Sequence, residues 1–151
     1  MGDDRLAAMK DAVRALVSAL ERIDLHAQRA LLTDHVHWWV QRSTAHEGFE
    51  RPLVGPDAVL TLVGSTADYF SDFRWDIQRM VAEGDLVAVQ ATVYGTRNDG
   101  RPYENDYHFL FRLEGDCIAE VWESMDSALA APPPGGWARD TLGGRPAGHA
   151  G

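Results

Sequence analysis

The chain has 151 residues, 45% of them hydrophobic and 25% charged, which suits one soluble domain able to bury a sizeable core. A net charge of -9, a pI near 5.0 and a single lysine, Lys10, exclude the clustered cations that a nucleic-acid partner requires. One cysteine, Cys117, excludes an intrachain disulfide and a cysteine-rich metal cluster; with no apolar run of about 18 residues and no signal-peptide pattern at Asp3-Asp4-Arg5, neither a membrane partner nor export is expected, and the expected location is the cytoplasm.

Leu6, Met9, Val13, Leu16, Val17 and Leu20 recur at spacings of three and four, which predicts a helix from about Asp4 to Arg22. Asp24 is a candidate cap for a second helix, running through Leu25, Gln28, Leu31 and Leu32 to about Thr33. Val36 to Val40 reads as a strand: with Val36, Trp38 and Val40 turned inward, His35, His37, Trp39 and Gln41 turn outward. Arg42 to Pro56 is a polar loop, either a lid or irregular surface, and Pro56 opens a helix that ends near Tyr69. Strands follow at Phe73 to Ala82 and Leu86 to Thr96, separated by the turn residues Glu83-Gly84-Asp85, and Asn98-Asp99-Gly100 leads into the next strand.

That next stretch, Tyr103 to Asp126, carries the clearest pattern. Tyr103, Asn105, Tyr107, Phe109, Phe111 and Leu113 alternate with Glu104, Asp106, His108 and Arg112, so one strand face is apolar or aromatic and the other polar. Glu114-Gly115-Asp116 turns the chain into a second strand, Cys117 to Met125, and the two form a hairpin. Asn105 breaks the apolar face, and an unpaired buried amide costs on the order of 1–3 kcal/mol. It therefore needs a neighbour, a water or a ligand. Helices ahead of four consecutive antiparallel strands define an α+β domain over residues 1–126, in which helices cover one face of a curved sheet. Residues 127–151 form an Ala/Pro/Gly-rich tail in which Trp137 and Leu142 are the only large apolar residues after Leu129.

The order of elements, the strand start Gly84-Asp85-Leu86-Val87-Ala88-Val89, the hairpin from Asn105 to Ile118 and the closing Glu120 to Asp126 resemble the SnoaL-like branch of the nuclear-transport-factor-2-like superfamily. The resemblance covers about Asp4 to Asp126. It implies a cone-shaped α+β barrel around a pocket, a curved antiparallel sheet with the N-terminal helices packed over its concave face, and a homodimer, but not one reaction: the family includes polyketide cyclases, ketosteroid isomerases, scytalone-type dehydratases, limonene-type epoxide hydrolases and non-catalytic proteins. At the positions where the isomerases carry their tyrosine, base and acidic donor, this chain has Leu16, Val40 and Phe109. Where the epoxide hydrolases carry Arg-x-Asp and a second carboxylate, it has Asn105-x-Tyr107 and Glu123.

Glu123 is thus the leading candidate catalytic acid or base. The match makes Val121, Glu123 and Met125 the inward face of the last strand, and an apolar cavity raises a carboxyl pKa toward neutrality. In the opposite phase Glu120, Trp122, Ser124 and Asp126 face inward and Glu123 is solvated. Tyr107 is a candidate donor to a substrate oxygen, or else a core tyrosine satisfied by Asn105. Trp38, Val40, Phe109, Phe111, Val121, Met125 and Asp126 are the candidate substrate-binding residues. His35 and His37, with His46 on the following loop, offer two imidazoles at spacing two without an evident further ligand, so no metal is expected.

No phosphate loop, dinucleotide fingerprint or nucleophile elbow is present, and no cofactor is expected. Two readings stay open: a cofactor-independent enzyme that moves protons on a hydrophobic small molecule, or a non-catalytic protein that binds such a molecule or serves as an assembly partner. The homodimer is expected to use the outer sheet face with Trp39, His108 and Trp122. Pro132-Pro133-Pro134 could carry Trp137 across a pocket mouth, or the tail could be a disordered end.

Overall fold

The computed structural model describes residues 2–40, 51–126 and 128–130. Most of the expected polar loop, with His46, and the tail with Trp137 and Leu142 lie outside the described residues. Among the described residues are three α-helices, α1 (Gly2–Glu21), α2 (Leu25–Leu31) and α3 (Pro56–Ser65), and six strands. The strands are β1 (Leu32–Val40), β2 (Leu53–Val54), β3 (Phe70–Glu83), β4 (Leu86–Arg97), β5 (Pro102–Glu114) and β6 (Cys117–Met125). No helix among the described residues is long and apolar enough to cross a membrane.

The α+β class holds, with one correction to the expected all-antiparallel sheet. The six strands form one mixed, open, curved sheet in the order β2-β1-β6-β5-β4-β3. β3 to β6 run as an antiparallel meander, whereas β1 lies parallel to β6, with Trp38 opposite Val121 and Val40 opposite Glu123. This long-range parallel pairing lengthens β1: the chain is extended from Leu32, opposite Ile118, four residues before the predicted start. It also ends α2 at Leu31, short of the predicted Thr33, and Leu32 takes extended angles (φ -105, ψ 144) with its side chain buried. β2, unforeseen in the loop, pairs Leu53 and Val54 with Trp38 and His37 and buries Leu53.

The local signals are where the sequence places them. Asp24 caps α2, its Oδ1 accepting from the Ala27 amide at 3.0 Å, and Pro56 opens α3. Gly84 and Gly115 supply the positive φ (62° and 60°) that the two tight turns require. α1 buries Met9, Val13, Leu16, Val17 and Leu20 and packs on β3, β4 and β6. It thereby closes the concave face of the sheet over a core that includes Val36, Val87, Phe111, Ile118 and Val121.

Candidate active site

Strand β5 supplies the floor. All six alternating residues, Tyr103, Asn105, Tyr107, Phe109, Phe111 and Leu113, are buried, as period two requires. Their rings stack along the strand: Tyr107 on Phe109 and Phe109 on Phe111, each with centroids 5.6 Å apart. Opposite them β4 carries small inward residues, Ala91 against Tyr107, Val93 against Asn105 and Gly95 against Tyr103. Aromatic side chains of the edge strand β3 can therefore lean across β4 onto β5. Trp75 meets Phe109 at 4.8 Å and Tyr107 at 6.0 Å, and Phe70 meets Tyr103 at 5.0 Å. A Cβ on Gly95 would stand 2.7 Å from the Asp72 carbonyl and 3.5 Å from the rings of Phe70 and Phe73.

Between these walls, α1 and α3 lies a cavity of about 100 Å³, on the scale of the roughly 150 Å³ that accommodates a benzene ring. Trp38, Val40, Tyr107, Phe109, Glu123 and Met125 line it, all residues anticipated from the sequence. Tyr103, Phe70, Phe73, Trp75, Leu20, Leu62, Val63, Thr66 and Ala130 also line it and were missed. Glu123 is the one ionisable carboxylate among the lining residues. It reaches the concave side because it pairs with Phe109 on one side and Val40 on the other, and Val121 and Met125 share its face. The alternative phase is excluded: Glu120, Trp122, Ser124 and Asp126 do not line the cavity, and Trp122, Ser124 and Asp126 are exposed.

The apolar surroundings raise the Glu123 pKa to about 7, chiefly by removing water from the carboxylate. A hydrogen bond from Trp38 Nε1–H to Oε2, at 2.7 Å, works in the opposite direction. Tyr103 and Tyr107 meet hydroxyl to hydroxyl at 2.6 Å. Burial raises the pKa of Tyr103, and that of Tyr107 well above the ordinary value, so both stay protonated near neutrality. Asn105 satisfies itself internally: Nδ2 donates to Tyr103 Oη (3.0 Å) and to the Asp126 carbonyl (2.9 Å), and Oδ1 accepts from the Asp126 amide (3.1 Å). Two phenols that share one hydrogen bond hold two protons. One proton occupies the bond between them, and the other is left over for a further acceptor.

Asn105, Phe111, Val121 and Asp126 are absent from the cavity lining. Phe111 and Val121 face each other as the next register pair, fully buried in the core. The Asp126 side chain accepts from the Ala128 and Leu129 amides and so caps the turn that brings Ala130 against the cavity. Arg97 braces the same turn, donating to the Leu129 carbonyl at 2.8 Å with its guanidinium 5.1 Å from the Tyr103 ring centroid.

The imidazoles of the outer histidines have separate partners. His35 Nε2 lies 2.9 Å from Glu114 Oε2, His37 Nδ1 lies 2.8 Å from the His35 carbonyl, and His108 is exposed on β5. Among the described residues no three His, Cys, Asp or Glu side chains converge as a metal site would need.

Helices over the concave face of an open curved sheet, enclosing an aromatic cavity with a single carboxylate among its lining residues, define an α+β protein of the cone type with an internal pocket. Residues 13–121 match the SnoaL-like domain model, and the chain belongs to that family. No curated protein sequence matches it. Solved structures agree on the fold. A Burkholderia pseudomallei K96243 NTF2-like protein of unknown function is 21% identical with a TM-score of 0.71, over 80% of this chain and 92% of that one. IdmH of Streptomyces antibioticus, a proposed polyketide cyclase, is 23% identical with a TM-score of 0.70, over 80% and 94%. An LEH-like epoxide hydrolase of M. tuberculosis is 18% identical with a TM-score of 0.66, over 82% and 86%.

Proposed function

We propose that the chain is a cofactor-independent acid–base enzyme acting on a hydrophobic small molecule held in the cavity. The observation that carries this reading is Glu123: a carboxylate with a pKa of about 7 among aromatic walls. Such a group is ready both to take and to give a proton near neutral pH, as general acid–base catalysis requires. In the simplest cycle its carboxylate removes a proton from carbon beside a carbonyl. The C–H electron pair moves into the forming C=C bond, and the negative charge arrives on the carbonyl oxygen. The surplus proton of the Tyr103–Tyr107 pair is the donor to that oxygen. Asn105 acts one step back, as a positioning residue that fixes Tyr103. Returning the proton to another atom gives an isomerisation; attack of the enolate carbon on a second carbonyl of the same molecule, whose π pair moves onto its oxygen and takes the proton from Glu123, gives a cyclisation. Loss or addition of water is the other route open to the same acid.

Turnover of a panel of enolisable cyclic ketones, β-hydroxy ketones and epoxides tests the proposal. For any compound consumed, Glu123→Gln should lower kcat/KM by about 10²- to 10⁴-fold, and undiminished turnover by the variant would refute it. A second reading, a non-catalytic pocket protein, is favoured by the apolar residues Leu16, Val40 and Phe109 at the positions where the resembled isomerases carry their proton-transferring groups. Tight binding across the panel with no turnover would select it.

A further inference from the structure

The two oxygens of Glu123 have different surroundings. Oε2 accepts from Trp38 Nε1–H at 2.7 Å, and this is the one hydrogen bond to the carboxylate among the described residues. The contact is set by the parallel β1–β6 pairing. Val40 stands opposite Glu123, Trp38 stands opposite Val121 two residues along, and the long indole reaches diagonally to the carboxylate. An indole nitrogen is a donor only, so Trp38 can hold an oxygen but can neither take its proton nor supply one. In a neutral carboxylic acid the carbonyl oxygen is a better acceptor than the hydroxyl oxygen. The indole therefore favours the form in which Oε2 is the carbonyl and the proton sits on Oε1, and its hydrogen bond survives in both protonation states.

We propose that Trp38 is a positioning residue that divides the Glu123 carboxyl into a held oxygen, Oε2, and a working oxygen, Oε1, through which every proton exchanged with a molecule in the cavity passes. The functional half of this inference rests on the acid–base reading above; the confinement of the proton to Oε1 does not. When Oε1 takes a proton from a bound molecule, the bonding pair stays with that molecule, and Oε2 changes from carboxylate to carbonyl oxygen under the same N–H. No rotation of the carboxyl is needed between taking the proton and returning it.

The arrangement has a readout that needs no substrate. Of the groups around the cavity, Tyr103 and Tyr107 on β5 are raised above the ordinary tyrosine range by burial, and the Arg97 guanidinium on β4 lies over the Tyr103 ring, 5.1 Å from its centroid. The wall residues from α1 and α3, Leu20, Leu62 and Val63, carry no charge. Glu123 is thus the lining group that titrates near neutrality. In ¹⁵N-labelled protein one indole N–H resonance, assigned by its loss in Trp38→Phe, should move downfield from pH 5 to pH 9 with a single midpoint near 7. A carboxylate is a stronger acceptor than a carbonyl, which sets the direction. The same resonance should be flat in Glu123→Gln. A flat wild-type resonance, or one that exchanges with solvent as fast as an exposed indole, overturns the proposal. In Trp38→Phe, the Glu123 carboxyl followed by ¹³C NMR should titrate about one pH unit or more higher, because a hydrogen bond to the charged form has been removed; an unchanged midpoint also overturns it. If that variant does not fold, the resonance is assigned in the wild type through nuclear Overhauser contacts of the indole, and its titration still decides. A titrating indole with turnover indifferent to Glu123→Gln would leave the oxygen assignment standing and remove the acid–base reading. A flat indole with turnover that depends on Glu123 would do the reverse.

Discussion

Replacing Glu123 by Gln should stabilise the ligand-free protein at neutral pH and do so less as the pH falls. Folding raises the carboxyl from an ordinary value of 4.5 to about 7, and at about 1.4 kcal/mol per pH unit the linked free energy is roughly 3 kcal/mol. The direction follows from proton counting. Between about pH 4.5 and 7 the native state keeps a proton that the unfolded chain has released, so stability declines as pH rises through that window and is flat beyond it. Gln has nearly the same shape, can still accept from Trp38 Nε1–H, and does not titrate. Subtracting the stability of the variant from that of the wild type therefore cancels every other titrating group. The difference should fall by roughly 3 kcal/mol between pH 4.5 and 8, or about 6–12 °C in Tm for a chain of this size. Urea unfolding of both proteins at five pH values, at one protein concentration, measures it. A difference that stays constant within about 1 kcal/mol would show that the native carboxyl keeps its ordinary pKa, and the reasoning from desolvation would be wrong.

Asn105→Leu, close in volume, removes two hydrogen bonds to the Asp126 backbone and one to Tyr103; urea unfolding should show a loss of about 1–3 kcal/mol, and a neutral result would mean that the amide is not a structural tie. Gly95→Ala puts a methyl 2.7 Å from the backbone oxygen of Asp72 and against Phe70 and Phe73. Overpacking of this kind costs about 1–3 kcal/mol, and the variant should also bind an aromatic probe such as naphthol more weakly, whereas full stability with unchanged binding would contradict the tight β3–β4 approach. The expected homodimer places Trp122, 37% exposed, against a partner together with Trp39 and His108. Light scattering should give the dimer mass at micromolar concentration and Trp122→Lys should give the monomer, while a wild-type monomer mass would remove the dimer.

What was legible in the sequence was local. The alternation in β5 is buried residue for residue as its chemistry demands, because a single strand needs no partner to declare its two faces. The turn glycines and the Asp24 cap are equally self-contained signals. What was not legible depends on pairing. In β6 both Ile118 and Ala119 are buried, and the register shifts against β5 between Arg112 and Leu113. That irregularity interrupts the alternation just before Glu123, so periodicity alone could not fix which way the carboxylate points. The parallel partner of β1 was hidden for the same reason: nothing near Leu32 in the chain mentions Ile118. β3 was missed as a cavity wall because its inward aromatics, Phe70, Phe73 and Trp75, are spaced three and then two across a bulge. Tyr103 could have been found. Tyrosines four residues apart on a strand have Cα atoms about 13 Å apart, yet their long side chains can incline toward each other over a smaller residue, and Tyr-x-Asn-x-Tyr is that pattern.

Two of the three buried polar atoms without a partner among the described residues, Gln28 Oε1 and Thr33 Oγ1, belong to residues outside the cavity lining, and the third lies in it, beside two other unfavourable features. Trp75 Nε1 is buried without a hydrogen-bond partner among the described residues, on a side chain that lines the cavity. Glu123 sits there at a cost in stability that a Gln or Leu would avoid, and the void beside it forgoes the dispersion contacts that filling it would bring. Larger residues than Ala91, Val93 and Gly95 on β4 would take up the space that the β3 rings now occupy. Further along the same strands, Phe111 stands between Val121 and Val87, and all three are apolar and fully buried. A sequence that fills one end of its sheet so completely is able to fill the other. Leaving there a space, an ionisable acid and an unpaired donor fits a protein in which a bound molecule supplies the missing contacts.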